Sequence, residues 1–537
     1  MAAVPARAPL TAVRRVRPYS GAVSSAVPPR IAAAACALLA ALCIGGVQQA
    51  AAEGAPPLAV TGVSPRPDAG DTRTAGLFRA TVSPNADGVN DALSVAVAGP
   101  AGAAIALVDA SKGGIVARGT LDGAGSGQVA YTPGYDAGSI LLRACIAGTT
   151  TCAADAVQVD VRSVTVAVQS LAGVRPGGRA SLRIDADGPV RLGLRDLALP
   201  HAPTILERTV APGSYDLEVP RLRPGLWGVV ATAPDGRTST APLVVRPAAG
   251  RPATAALVVI PTLTLRAYDT SDNDRDGSAD TWYAGKRPDG IQVAGGFAAT
   301  ADGQPWHGAR RLLAALRFLR STHVAFDVVA DADLAARSTR LDRYRALVFA
   351  GHEEYYTLGM WQAVLRYRNG GGRLWFMQAN SFYTRVAVDG GRMRVRDFAH
   401  RTPSRSDYMI AGGGYTACCW APAMPRFVLA RGVRERLPWL FRGVRLRAGG
   451  TFGYAPGEAD AVNKRLSPHS TIVIAEARLP GGRPAHVSYY TGPKGSEVLD
   501  LGTVAALEQL ELDQVPAVVK QRYRRMMVNA WNRFRRP

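Results

Sequence analysis

Ala346-Leu-Val-Phe-Ala350-Gly-His-Glu-Glu-Tyr-Tyr-Thr357 is followed by a helical segment from Met360 to Asn369, three glycines, and then Arg373-Leu-Trp-Phe-Met377. The two apolar runs are short and unbroken, the pattern of strands buried on both faces. The helical segment between them stops where Gly370-Gly-Gly372 cannot continue it. Strand, helix and strand in that order predict a parallel βαβ unit. The same grammar extends outward. Ala256-Leu-Val-Val-Ile260 and Phe326-Asp-Val-Val329 read as further strands, and Trp306 to Arg320 reads as a helix with Leu312, Leu313, Leu316 and Leu319 on one stripe. Residues 252–537 are therefore expected to form a three-layer α/β domain. Ligands of such sheets sit beyond the carboxyl ends of the strands. Gly351–Thr357 and Gln378–Arg385 lie at two of those ends.

Upstream the grammar changes. Leu93-Ser-Val-Ala-Val97, Val157-Gln-Val-Asp-Val161, Val164-Thr-Val-Ala-Val168 and Ala180-Ser-Leu-Arg-Ile184 alternate, with turn residues between them. Such runs predict one or two immunoglobulin-like β-sandwiches, over residues 53–160 and 161–248. Arg246-Pro-Ala-Ala-Gly-Arg-Pro252 is the expected linker. Cys145 and Cys152 flank a hairpin-like tip and are expected to bridge. The adjacent Cys418 and Cys419 either form a vicinal disulfide or stay reduced.

Residues 1–52 carry Arg7, Arg14, Arg15, Arg17 and Arg30, then an apolar run from Ile31 to Val47, then Ala50-Ala-Ala52. A basic start, an apolar middle and a small-residue cleavage site predict a secretory signal peptide. A retained membrane anchor is the alternative. Either way the product is expected to be secreted or extracytoplasmic. The chain has a net charge of +21, much of it in the arginines between Lys520 and Arg536. Export excludes nucleic acid as a partner and leaves anionic surface polymer or lipid headgroups. An arginine-rich solvated surface accounts for the same charge.

Several motifs bear on chemistry. Asp272, Asp274, Asp276 and Asp280 surround Gly277, with oxygen side chains at alternate positions as in the first half of a calcium loop. No Glu stands at the twelfth position, so the spacing fits calcium or a polar surface insert. Ser83-Pro-Asn-Ala-Asp-Gly-Val-Asn-Asp91 resembles the immunoglobulin-like domains of flagellar hook-capping and gliding-motility surface proteins. Its Asp and Asn residues serve equally as turn formers.

Pro224-Gly-Leu-Trp-Gly-Val229, Ile260-Pro-Thr-Leu-Thr-Leu-Arg-Ala-Tyr268, Phe326–Leu334, Gly351-His-Glu-Glu-Tyr355, Gly372–Asn380 and Gly495–Gly502 occur in that order. Together they resemble the large subunit of N,N-dimethylformamidase, chiefly its C-terminal domain. The resemblance implies hydrolysis of a small linear amide at a mononuclear iron held by two tyrosines and a glutamate. Such a metal polarises the amide carbonyl and acidifies a bound water. Residue by residue, it implies Tyr268 and Glu354 as iron ligands and His352, Asn380 and Glu497 as catalytic groups. The second tyrosine falls at Trp227, whose indole has no lone pair for a metal. Weak iron binding or none is therefore expected, with Trp227 entering the same pocket.

The sheet also resembles class I glutamine amidotransferases, but the place of their nucleophilic cysteine reads Met377-Gln-Ala-Asn-Ser381. Ser381 with His352 is the corresponding nucleophile and base, although no G-x-S-x-G frames it. Two functions remain: a hydrolase of non-peptide C–N amide bonds, or a non-catalytic surface or wall-associated binding protein on a degenerate enzyme scaffold.

Overall fold

The computed structural model of the chain describes residues 56–537 apart from 65–76, 83–90, 111–112, 134–138, 162–163, 187, 200, 235, 252, 270–280, 283–289, 294, 297–305, 307, 337–338, 399–405, 419–423 and 537. Residues 1–52, most of the Ser83–Asp91 motif, the loop with Asp272, Asp274, Asp276 and Asp280, and Cys419 lie outside the described residues.

The first strands make two facing sheets. Ala59–Ser64, Leu93–Ala98 and Ser126–Tyr131 form one. Leu77–Val82, Cys152–Val161, Ser139–Ile146, Ala104–Asp109 and Ile115–Thr120 form the other, with its first strand parallel to its neighbour. Leu93, Val95 and Val97 point inward while Ser94, Ala96 and Ala98 do not, so period-two alternation decides which face is core. Cys145 and Cys152 are bonded and face each other in register, with Cα atoms 3.8 Å apart. Cys418 is also disulfide-bonded.

Two four-stranded sheets follow. One contains Gly225–Thr232, and the other recruits Gly295–Gly296 from well beyond the expected linker. Their core merges with that of a nine-stranded sheet. The nine strands, in chain order, are β1 (Ala256–Ile260), β2 (Asp327–Ala330), β3 (Ala346–Phe349), β4 (Arg373–Phe376), β5 (Arg426–Leu429), β6 (Thr451–Tyr454), β7 (Ile472–Arg478), β8 (Pro484–Thr491) and β9 (Glu497–Asp500). Their spatial order is β2-β1-β3-β4-β9-β8-β7-β5-β6.

From β2 to β9 the pairs are parallel, as the βαβ grammar requires. From β9 to β6 they are antiparallel, a departure from the expected sheet. The cause is local. A short turn through Pro480, Gly481 and Gly482 joins β7 to β8, and a short turn suffices only for antiparallel neighbours.

Each face of the parallel half carries its own core. Val258, Ile260, Val348 and Trp375 pack with Leu312, Leu316 and Leu319 of α2 (Ala309–Ser321). Leu257, Val259, Phe349 and Phe376 pack on the opposite face with Leu263 and Ala267 of α1 (Thr262–Ala267) and Met360 and Val364 of α3 (Leu358–Asn369). A last helix, α4 (Ala517–Arg535), adds Met527, Trp531 and Phe534 to the first face. Burying side chains of this size stabilises by roughly 1.5–3 kcal/mol each. No described helix is long and apolar enough to cross a membrane.

Candidate functional site

The carboxyl ends of β1, β3 and β4 converge. After β1, Pro261 leads into α1, whose C-cap is Tyr268. Asp331, just past β2, holds the start of α1 by accepting from the Leu263 N–H at 3.0 Å. After β3, the chain passes so close to Pro261 that a Cβ on Gly351 would lie 2.5 Å from its ring. That contact sets the loop carrying His352, Glu353 and Glu354. After β4, Asn380 and Phe382 take positive φ of 58° and 60°, a strained backbone of the kind that gathers at functional sites. The two loops are tied together: Phe382 N–H donates to Glu353 O at 2.8 Å, Tyr383 N–H and Thr384 N–H donate to Glu354 O at 3.0 and 2.9 Å, and Gln378 Nε2 donates to Ala350 O at 3.0 Å.

The side chains then meet. Tyr268 donates its hydroxyl to Glu354 Oε2 at 2.7 Å, and its ring lies 5.8 Å from that of His352. His352 Nε2 is 3.4 Å from Glu458 Oε2 and 3.7 Å from Glu354 Oε2, at ion-pair distance rather than in a directed hydrogen bond. Asn380 Nδ2 donates to Glu458 Oε2 at 2.7 Å, and its backbone N–H donates to Asp460 Oδ1 at 2.9 Å. Asn380 Oδ1 is buried without a hydrogen-bond partner among the described residues. Of the expected site residues, Tyr268, His352, Glu354 and Asn380 thus share one cluster.

The electrostatics separate the two glutamates. Burial raises the Glu354 pKa, His352 opposes this and Glu458 adds to it, and the carboxyl stands at about 7. Burial also resists ionisation of Glu458, but His352, Asn380 and Arg311 outweigh it and bring that carboxyl to about 2. Burial pulls His352 down, yet Glu458 and Glu354 together lift it above its ordinary value. The cluster therefore holds an ionised carboxylate, an imidazole biased toward its cation, and a carboxyl group that changes charge near neutrality. Titratable groups pushed apart in this way can divide acid and base roles.

Two expected residues lie elsewhere. Glu497 opens β9, whereas the cluster sits at the other end of the parallel strands. It is buried against Arg373 and Arg533, at 3.0 and 2.6 Å, and accepts from the Tyr489 hydroxyl at 2.9 Å. Trp227 packs in the core shared by the second pair of sheets and the large sheet, and donates its Nε1–H to Arg223 O at 3.2 Å. No ring contact or hydrogen bond joins it to Tyr268, His352 or Glu354 among the described residues. Its strand registers Trp227 against Asp196 and Leu243, which fixes the indole within the sandwich. Ser381 donates to Gln378 O at 3.3 Å and makes no hydrogen bond to His352 among the described residues.

The donor set can be compared with the iron site implied by the family resemblance. Tyr268 and Glu354 are brought together, but Trp227 brings no phenol to them. His352 already supplies the positive charge that balances Glu458 and Glu354. The tyrosine that the resemblance implies at position 227 is not part of this cluster.

Sequence reasoning missed Glu458, Asp460, Tyr383 and Tyr415. The strands Gly414–Ala417 and Ala459–Ala461 pair and deliver Tyr415 and Asp460. Burial raises the Tyr415 pKa, with Glu458 and Glu354 adding to it, and its ring is 4.9 Å from that of Tyr383. One signal was available: Asp460 sits between two alanines in a strand, where aspartate is depleted unless something holds it.

No curated protein matches the chain. Among solved structures, the β-galactosidases of Rahnella sp. R3 and Bacillus circulans sp. alkalophilus match at 10% and 11% identity and TM-scores of 0.32 and 0.28. They cover 53% and 48% of this chain, which spans about a third of their length, 32% and 30%. The D0-D1 domain of intimin matches at 11% identity over 31% of this chain and 91% of that one, with a TM-score of 0.13. Likenesses at this level bear on no functional argument. The family described as N,N-dimethylformamidase beta subunit-like, C-terminal, matches residues 209–517, which include every member of the cluster. The chain belongs to the N,N-dimethylformamidase beta subunit-like family.

Proposed function

We propose that this chain is an exported hydrolase of non-peptide C–N amide bonds. The observation that carries the reading is the pair of buried glutamates around His352, one ionised throughout and the other changing charge near neutrality. Ionised Glu354 takes a proton from water as the water oxygen bonds to the amide carbon. Donors from His352 and the Tyr268 hydroxyl favour the negative charge that develops on the carbonyl oxygen. Glu354 then gives its proton to the nitrogen as the C–N bond breaks, leaving a carboxylic acid and an amine. Tyr383 and Tyr415 supply apolar surface beside these groups.

The reading includes a three-layer, amidotransferase-like arrangement, supported by five parallel strands with helices against both faces. Export rests on the composition of residues 1–52 and agrees with a disulfide at Cys145–Cys152. Calcium on Asp272, Asp274, Asp276 and Asp280 rests on their spacing alone.

The test is amine release from a panel of small linear amides by the full chain. Wild type should turn over at least one, and Glu354→Gln should lower that rate by about 10²–10⁴-fold. A wild-type chain that releases amine from none of them overturns the reading. It would favour the second one, a surface-binding protein on a scaffold that lost a ligand, for which the placement of Trp227 speaks.

A further inference from the structure

We propose a second ligand site: the cavity at the strand-start edge of the large sheet binds a phosphate-bearing anion through Arg345 and Arg366. The cavity encloses about 820 Å³ and is lined by five arginines, Arg340, Arg343, Arg345, Arg366 and Arg373. That volume suits a small-molecule ligand. Its floor follows from the topology. β3 and β4 begin side by side, Ala346 against Arg373, so Arg345 precedes one strand while Arg373 opens the other. The last turn of α3 brings Arg366 over them. Tyr344 and Tyr367 form the wall, with the Tyr367 hydroxyl donating to Tyr344 O at 3.1 Å.

The charges at this edge do not cancel. Arg340 pairs with Asp342 at 2.8 Å and Arg373 with Glu497 at 3.0 Å. Asp327, buried below, is taken by Arg251 at 2.9 Å and by the Tyr344 hydroxyl at 3.1 Å. Among the described residues, Arg343 donates only to a backbone carbonyl, Arg251 O, at 3.3 Å. The guanidinium groups of Arg345 and Arg366 are exposed and have neither an ion pair nor a hydrogen bond among the described residues. A cation in the last turn of α3 suits the carbonyl end of that helix, which accounts for Arg366 alone.

Like charges gathered in one concavity repel, and an anion reverses the sign of that interaction. Each guanidinium offers a planar fork of donors. One fork satisfies a carboxylate with its two oxygens, whereas forks from several directions match a phosphate. The site lies at the opposite end of the strands from the glutamate cluster and does not depend on amide hydrolysis.

The full chain would be titrated calorimetrically with inorganic tripolyphosphate at about 150 mM salt, where surface charge is largely screened. Arg345→Gln/Arg366→Gln should weaken binding at least about tenfold, the loss expected for two charge-assisted contacts. Arg191→Gln/Arg208→Gln removes the same charge from exposed strand positions elsewhere and should change it less than about twofold. Amine release should be the same in both. Vesicles of phosphatidylglycerol in phosphatidylcholine separate the sources. Sedimentation with them, lost in Arg345→Gln/Arg366→Gln alone, assigns a lipid headgroup, and tripolyphosphate binding without sedimentation assigns a free phosphoester. The proposal is overturned if wild type binds neither probe, or if the two double variants weaken binding equally.

Discussion

Tyr268, His352, Glu354 and Glu458 act on one another through a few oxygen and nitrogen atoms, so a change at one is read at the rest. Below about pH 7 Glu354 carries a proton and cannot accept one from water. Amine release should rise through that pH and fall again on the alkaline side as His352 loses its proton. Glu458 is what chiefly raises the His352 pKa. Glu458→Gln should therefore move the alkaline limb to lower pH, visible in the rate profile and in imidazole NMR shifts. Trp227→Tyr would have been the natural way to restore iron had the indole faced this cluster. With the side chain inside the sandwich, the variant should bind no more iron than wild type and show no phenolate-to-iron absorption. Tyr268, His352, Glu354 and Asn380 were legible through the family resemblance, and the strand pattern added only that the loops carrying His352, Glu354 and Asn380 follow strands. Glu458 was not legible, since its place depends on a pairing between segments more than forty residues apart, Gly414–Ala417 with Ala459–Ala461.

Strand β9 shows what a motif can and cannot say about an element. Gly495–Gly502 entered as one piece of the family resemblance, but the two acids of the strand it forms serve opposite ends. Glu497 begins it and Asp500 ends it, and the register is fixed by parallel pairing with β4 and antiparallel pairing with β8. Glu497→Gln leaves Arg373 and Arg533 without their carboxylate. It should lower stability by about 1–3 kcal/mol in denaturant titration while leaving amine release unchanged. Asp500 is buried, its Oδ2 has no hydrogen-bond partner among the described residues, and its Oδ1 accepts from Gly502 N–H at 2.9 Å. Burial raises its pKa from 3.8 to about 7. A raised folded pKa contributes stability below the unfolded value, and that contribution is lost as pH rises through the folded one. Asp500→Asn keeps an acceptor for Gly502 and cannot ionise. Relative to wild type it should gain stability at alkaline pH and lose the advantage between about pH 7 and 4, checked by melting at each pH.

Across the molecule, the first pair of sheets has a core of its own, with Val95, Leu107, Leu142 and Val159. The second pair shares its core with the large sheet. Polar ties reinforce that union: Gly173 N–H donates to Asp333 Oδ2 at 2.8 Å and Arg246 pairs with Asp333 at 3.0 Å. Calorimetry should resolve two transitions, one for residues before about 160 and one for the rest. Reducing Cys145–Cys152 should lower only the first, by about 2 kcal/mol on the chain-entropy estimate. Alternating strands made both pairs of sheets readable in the sequence. The recruitment of Gly295–Gly296 was not, because two glycines carry no side-chain pattern.

Five strands running the same way give the large sheet a direction. Carboxylates gather where the strands finish, and uncompensated arginines gather where they start. A four-residue strand spans about 13 Å, so these opposite charges are held a fixed, short distance apart. The protein should therefore adsorb to a cation-exchange surface with a preferred orientation, arginine edge down and Glu354 facing the liquid. Bound that way, it would be an oriented layer with its chemistry on the open side.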